Sequence, residues 1–192
     1  GTFLGYDKDE ETVELTQSHL RSFLDDFFAR SDAEEIYLIA HSMGSRAVTQ
    51  VISDFVRNKP VIKQRVVEVV LAAPDMNAEL FKQRIAPVLA DKRIPVTVYA
   101  SSDDLALAAS QAKHRYPRAG DSGDGLVAMP GIETIDASGL RAGLLGHSYF
   151  MEAPLVINDI KLLFLENKRA AQRTGLTLTP KGNYWVIRNT DE

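Results

Sequence analysis

The chain has 192 residues, of which 45% are hydrophobic, enough for one sizeable core and most simply a single domain over 1–192. A formal net charge of −4 argues against a nucleic-acid or anionic-membrane partner, and no run approaches the roughly 20 apolar residues of a membrane-spanning helix. The absence of cysteine excludes disulfides, a thiol nucleophile and thiolate metal sites, but leaves the redox compartment open.

Val13, Leu20, Phe23, Leu24, Phe27 and Phe28 recur at helical spacing and predict an amphipathic helix. Residues 36–40, "IYLIA", form an apolar run too short for a helix and read as a buried strand. From Gly44 onward, Ala47, Val48, Val51, Ile52 and Phe55 predict a helix to about Arg57. "RVVEVVLAAPD" is a β-branched run ending at Pro74, and Phe81, Ile85, Val88 and Leu89 mark the next helix. "IPVTVYASSDD" reads as a third strand ending in polar residues, "LALAASQA" as a short helix after it. A Gly- and Asp-rich loop, "HRYPRAGDSGDG", leads to a weaker strand at "GIETIDA", and Val156, Ile160, Leu163 and Phe164 define a last long helix. Strand-like runs on either side of Pro-Lys-Gly-Asn suggest a terminal hairpin over 176–187. This alternation predicts an α/β fold, a parallel sheet with helices on its faces. No internal repeat and no linker divides it.

In such sheets, functional groups collect at the carboxyl ends of the strands. Those ends carry Ser42, then Asp75, then Asp103 and Asp104, then Asp136 followed by His147. Serine, acid, histidine is the chain order of one class of nucleophile–base–acid triad. The turn chemistry fits a strained strand-to-helix elbow with Ser42 at its apex, because small residues, Ala40 and Gly44, flank the serine at two before and two after. A simple helix N-cap at Ser42 is the plainer alternative. Asp75, Asp103 and Asp104 compete for the role of acid, and Asp75 could instead cap the helix beginning near Ala78. His41 (within the elbow), His19 and His114 read as isolated structural or exposed histidines. "GDSGDG" lacks the ligand spacing of a calcium loop and reads as a flexible turn.

"LIAHSMGSRAV", "VVLAAPDMNAELF", "VTVYASSDDLALAAS" and "GHSYFMEAPLVINDI" together resemble, in order, the segments of a bacterial α/β-hydrolase family of unknown physiological substrate, usually described as esterase/lipase-like. The resemblance covers nearly all of residues 1–165. It implies an α/β-hydrolase-like sheet, a serine-hydrolase mechanism, and a triad carried onto Ser42, Asp104 and His147. Asp104 is preferred because the family's Ser-Ser-x-Asp-x-Ala-Leu pattern aligns its aspartate there and leaves Asp103 at a variable position. Asp75 also matches a family position. The implied reaction is acyl transfer from a small-molecule or lipid-like carboxylic ester to water. His147 would be the base, Asp104 its orienting partner and the Met43 N–H an oxyanion donor, with no metal or organic cofactor needed. Alanine rather than the usual glycine at position 40 departs from the elbow pattern.

A larger departure lies upstream of the elbow. Complete members of the family place it after at least two further strands, one ending in a His-Gly motif that helps hold the oxyanion and one just before the glycine that resembles Gly1. The chain is therefore expected to be the C-terminal portion of such a domain, its sheet lacking the N-terminal strands. Strand 36–40 would then be a free edge without charge, proline or bulge, which predicts a homo-oligomer. A second reading is a non-catalytic interaction or scaffold module that keeps a hydrolase-like core.

Overall fold

A computed structural model describes residues 6–140 and 147–188. Gly1 and the Gly-Leu-Leu-Gly run before His147 lie outside these residues, as does the side chain of Val13. Four parallel strands follow one another across the sheet: β1 (Ile36–His41), β2 (Val66–Ala72), β3 (Val96–Ala100) and β4 (Ile132–Asp136). Two short strands extend it beyond β4. The chain's last strand, β6 (Trp185–Ile187), runs parallel to β4, and β5 (Leu176–Leu178) lies outside it, antiparallel. The result is a mostly parallel six-stranded α/β sheet.

β2 and β3 are covered on both faces, which is why they read as nearly unbroken apolar runs. Alternation along the strands sends Val69, Leu71, Val96 and Val98 to one face, against Leu24 and Phe28 of α1 (Tyr6–Arg30) and Val51, Ile52 and Phe55 of α2 (Gly44–Asn58). Val70, Tyr99 and Ile135 face the other way, onto Tyr149 of α7 (Tyr149–Glu152) and Val156 and Leu163 of α8 (Pro154–Glu166). β1 forms one end of the sheet, where Ile39 is 48% exposed. No helix among the described residues is long and apolar enough to cross a membrane.

Three local features differ from the sequence reading. A six-residue helix, α3 (Pro60–Arg65), stands between α2 and β2, started by Pro60 in the first turn, where a missing N–H costs nothing. The helix expected around Phe81 comes as α4 (Ala78–Leu80), a π-helical stretch (Phe81–Ile85) and α5 (Ala86–Asp91). The wide turn comes just before Pro87, whose ring and missing N–H disfavour a regular α-turn. Phe23 does not join the buried face of α1; it is exposed and stacks on Phe27 at 6.2 Å.

Behind the α8 face lies a layer of charge. Arg173 bonds Asp159 at 2.8 Å and Glu133 at 3.1 Å, and Arg169 bonds Glu68 at 2.5 Å. Thr97 donates to Glu68, and Tyr99 to Asp159. Burial pushes the Glu68 and Asp159 carboxyls upward, against the pull of Arg169 on the first and Arg173 on the second.

Candidate active site

Because β1 to β4 are parallel, their carboxyl ends open onto one edge of the sheet, and the loops there carry the polar residues singled out above. Ser42 follows β1 directly with φ of 52°, a left-handed conformation uncommon for a side-chain-bearing residue and costing on the order of 1–3 kcal/mol. Backbone bonds hold it there. Ser42 N–H donates to Ala72 O (3.0 Å), while Ser42 O accepts from Ser45 N–H (3.1 Å) and Asp75 N–H (3.2 Å). The turn is thus tied both to its own helix and to the end of the neighbouring strand. Met43 begins the approach to α2 in a right-handed conformation, and its N–H enters no backbone hydrogen bond among the described residues.

Ala40 is buried in the core. At Gly44 an added Cβ would meet nothing within 4 Å, so close packing is not what calls for glycine there.

Asp104 ends the loop after β3 and is the N-cap of α6 (Leu105–His114), where Oδ1 accepts from Ala106 N–H and Leu107 N–H. Its other oxygen, Oδ2, lies 2.7 Å from Nδ1 of His147. The carboxylate is fully buried and the histidine side chain is 22% exposed, so the pair presents only its imidazole to solvent. Neighbouring loops fix Asp104 in turn. Asp103 Oδ2 accepts from Gly139 N–H (2.6 Å), Ser138 Oγ accepts from Ser102 N–H (2.9 Å), and Gly120 O accepts from Ser101 N–H (2.9 Å). Asp103 therefore links the loops after β3 and β4. Asp136 accepts from Ser138, within the same loop.

Asp75 sits elsewhere. It is buried, with Oδ1 2.8 Å from Ser110 Oγ and 3.0 Å from Arg118 Nε, and its carbonyl accepts from Arg46 Nε at 2.6 Å. It does not cap the following helix; Asn77 does, accepting from Leu80 N–H. Arg118, two residues before the "GDSGDG" stretch, is itself fully buried. Gly120 lies so close to Ala73 and Pro74 that an added Cβ would stand 2.6 Å from their backbone, and the Asp121 carboxylate accepts from Gly123 and Gly125 N–H. Among the described residues, no cluster of three His, Asp or Glu is arranged to hold a metal ion.

His147 is held from two further directions. Tyr149, two residues on, is buried and donates to Tyr99 O at 2.8 Å. Burial and then the charge of Asp104 push its phenol well above the ordinary value, so it stays a donor at neutral pH. His41 is not isolated, as the sequence suggested. Its Nε2 lies 3.1 Å from His147 O and the two ring centroids are 4.5 Å apart. His19 is exposed, and the His114 ring lies 5.7 Å from that of Tyr116. Ser42 makes no hydrogen bond to His147. The sequence signals for Tyr149 and His41 were their places beside the histidine and the serine.

The family model of an alpha/beta hydrolase of unknown function (DUF900) matches residues 1–167. The chain belongs to that family. The match ends just before Arg169, so both arginines of the buried charge layer and the β5–β6 hairpin come from residues beyond it. No curated protein and no solved structure matches the chain.

Proposed function

We propose that the protein is a serine hydrolase that cleaves a carboxylic ester through Ser42, His147 and Asp104. The observation that carries the proposal is the 2.7 Å contact of a buried carboxylate with His147 Nδ1, on the same sheet edge as a serine held at positive φ. With Nδ1–H donated to Asp104, the remaining nitrogen, Nε2, is the basic one. His147 takes the proton of Ser42 Oγ as the serine attacks the ester carbonyl, and Asp104 steadies the resulting imidazolium. The N–H of Met43, which enters no backbone hydrogen bond among the described residues, donates to the developing oxyanion in this reading. His147 then returns the proton to the leaving alcohol, and water, deprotonated by the same nitrogen, releases the acid and regenerates Ser42. The substrate class is a small-molecule or lipid-like ester.

A non-catalytic scaffold is the second reading, favoured by the missing hydrogen bond between Ser42 and His147. Such bonds are often long in free enzymes and tighten only with substrate. Turnover of p-nitrophenyl carboxylates separates the two. The hydrolase reading expects activity that falls by at least about 10³-fold in Ser42→Ala. Equal rates in both proteins would favour the scaffold.

A further inference from the structure

Two histidines meet at this site, and the reaction above uses one. His41 is the last residue of β1 and adjoins Ser42 in the chain. A carbonyl oxygen can only accept, so the 3.1 Å contact with His147 O requires the proton of His41 on Nε2. The His41 ring also meets Phe150, with centroids 4.5 Å apart and planes 30° from parallel. Burial, and after it the nearness of His147, lower its pKa, more than the bond to His147 O and the charge of Asp104 raise it. It is therefore a neutral ring beside an imidazole that must become charged. A second cation at that distance would oppose the step.

We propose that His41 is a positioning residue for His147, its Nε2–H fixing the backbone carbonyl of the base and its ring fixing the imidazole plane. The proposal rests on the triad reading, since it is the base of that triad that is positioned. The bond spans 106 residues of sequence and ties the histidine loop to the residue next to the nucleophile. Drift of His147 away from Ser42 then requires breaking it. The other bonds at this residue, from its ring to Asp104 and from Tyr149 to Tyr99, do not engage the carbonyl of His147.

Two substitutions divide the donor from the ring. His41→Gln keeps an N–H close to the position of Nε2, and His41→Phe keeps an aromatic ring without the donor. The first readout is nitrogen-15 and proton NMR of the His147 imidazole, which needs no substrate. The Nδ1–H resonance held by Asp104 is expected to be sharp in the wild type, broadened by exchange in His41→Phe and restored in His41→Gln. The second readout is ester turnover. His41→Phe is expected to lower kcat by about 10²-fold, the cost of a displaced catalytic group, with KM changed by less than about twofold, and His41→Gln to recover most of it. An unaltered His147 resonance together with wild-type kcat in His41→Phe would overturn the proposal. If wild type turns over no ester yet the resonance responds as described, the positioning stands and the esterase reading falls. Should His41→Phe not fold, the wild-type spectrum decides. His41 is expected as the Nε2–H tautomer, and the Nδ1–H tautomer would overturn the proposal.

Discussion

Asp104 and His147 are joined by a carboxylate that serves two elements at once, with Oδ2 on the imidazole and Oδ1 on the first turn of α6. The helix cap fixes the carboxylate, and the carboxylate fixes the tautomer of the histidine. The two duties come apart on substitution. Asparagine caps about as well as aspartate, so Asp104→Asn keeps the helix end but leaves His147 without a charged partner. Its kcat is expected to fall on the order of 10⁴-fold, the size of the same change in a serine protease triad. Asp104→Ala is expected to be as inactive, and less stable than Asp104→Asn by about 1 kcal/mol through the lost cap. Urea unfolding and ester kinetics on the two variants check both statements.

Asp75 should behave in the opposite way. Its loss leaves Arg118 buried without the charge 3.0 Å from its Nε, which typically costs about 3–5 kcal/mol. Asp75→Asn is therefore expected to lose stability on that scale, while the protein that remains folded turns over far faster than Asp104→Asn. Ser110→Ala, which removes one hydrogen bond to the same carboxylate, should cost only about 1 kcal/mol. A stable, inactive Asp75→Asn would move the triad acid to the end of β2.

The strands and the elbow were legible because their signals are local. Residues 36–40 are an apolar run that ends two residues before a serine, and β2 and β3 announce themselves by branched residues. The π-helical stretch at Phe81–Ile85 was not, since apolar residues at 81, 85, 88 and 89 fit an ordinary helix equally well. Nor was α3, six residues long and separated from α2 by Lys59 alone. At the candidate site, sequence order assigned Asp75, Asp103 and Asp104 to the ends of neighbouring strands but could not rank them by chemistry. The ranking depends on Ser110, Arg118, Gly139 and His147, partners that arrive from other loops. His41 was misread for the same reason, its partner being 106 residues away.

The charge layer beneath α8 offers a test of folding energetics. Arg173 is fully buried and meets Asp159 and Glu133. Arg173→Met is expected to destabilise by about 3–5 kcal/mol, because the buried Asp159 loses its charged partner. The double variant Arg173→Met with Asp159→Leu should recover a large part of the loss, since it removes both charges together. Chemical denaturation of the single and double variants measures the difference, and a double variant no more stable than the single would argue against charge as the cause.

Glu68 gives a pH dependence with a definite sign. Burial raises its carboxyl above the ordinary range, more than Arg169 and Thr97 lower it. Between the unfolded value and the raised folded value, the native state binds more protons than the unfolded chain. Glu68 therefore makes stability fall as pH rises through that window. Glu68→Gln removes the effect, so its stability relative to the wild type should climb across the window and then level off. Equilibrium unfolding of both proteins at a series of pH values reads it. A relative stability that drops instead would mean that the pairing with Arg169 outweighs burial.

The role of Ser42 is tested most directly by covalent labelling with a fluorophosphonate, located by peptide mass spectrometry. If Ser42 is the nucleophile, this serine at φ of 52°, on the same sheet edge as the histidine–aspartate pair, is expected to give one adduct, on the peptide carrying Ser42. Ser42→Ala should give none, and His147→Ala should slow the reaction by about 10²–10⁴-fold through loss of the base. An adduct that survives Ser42→Ala, or a folded wild-type protein that never labels, would contradict the assignment.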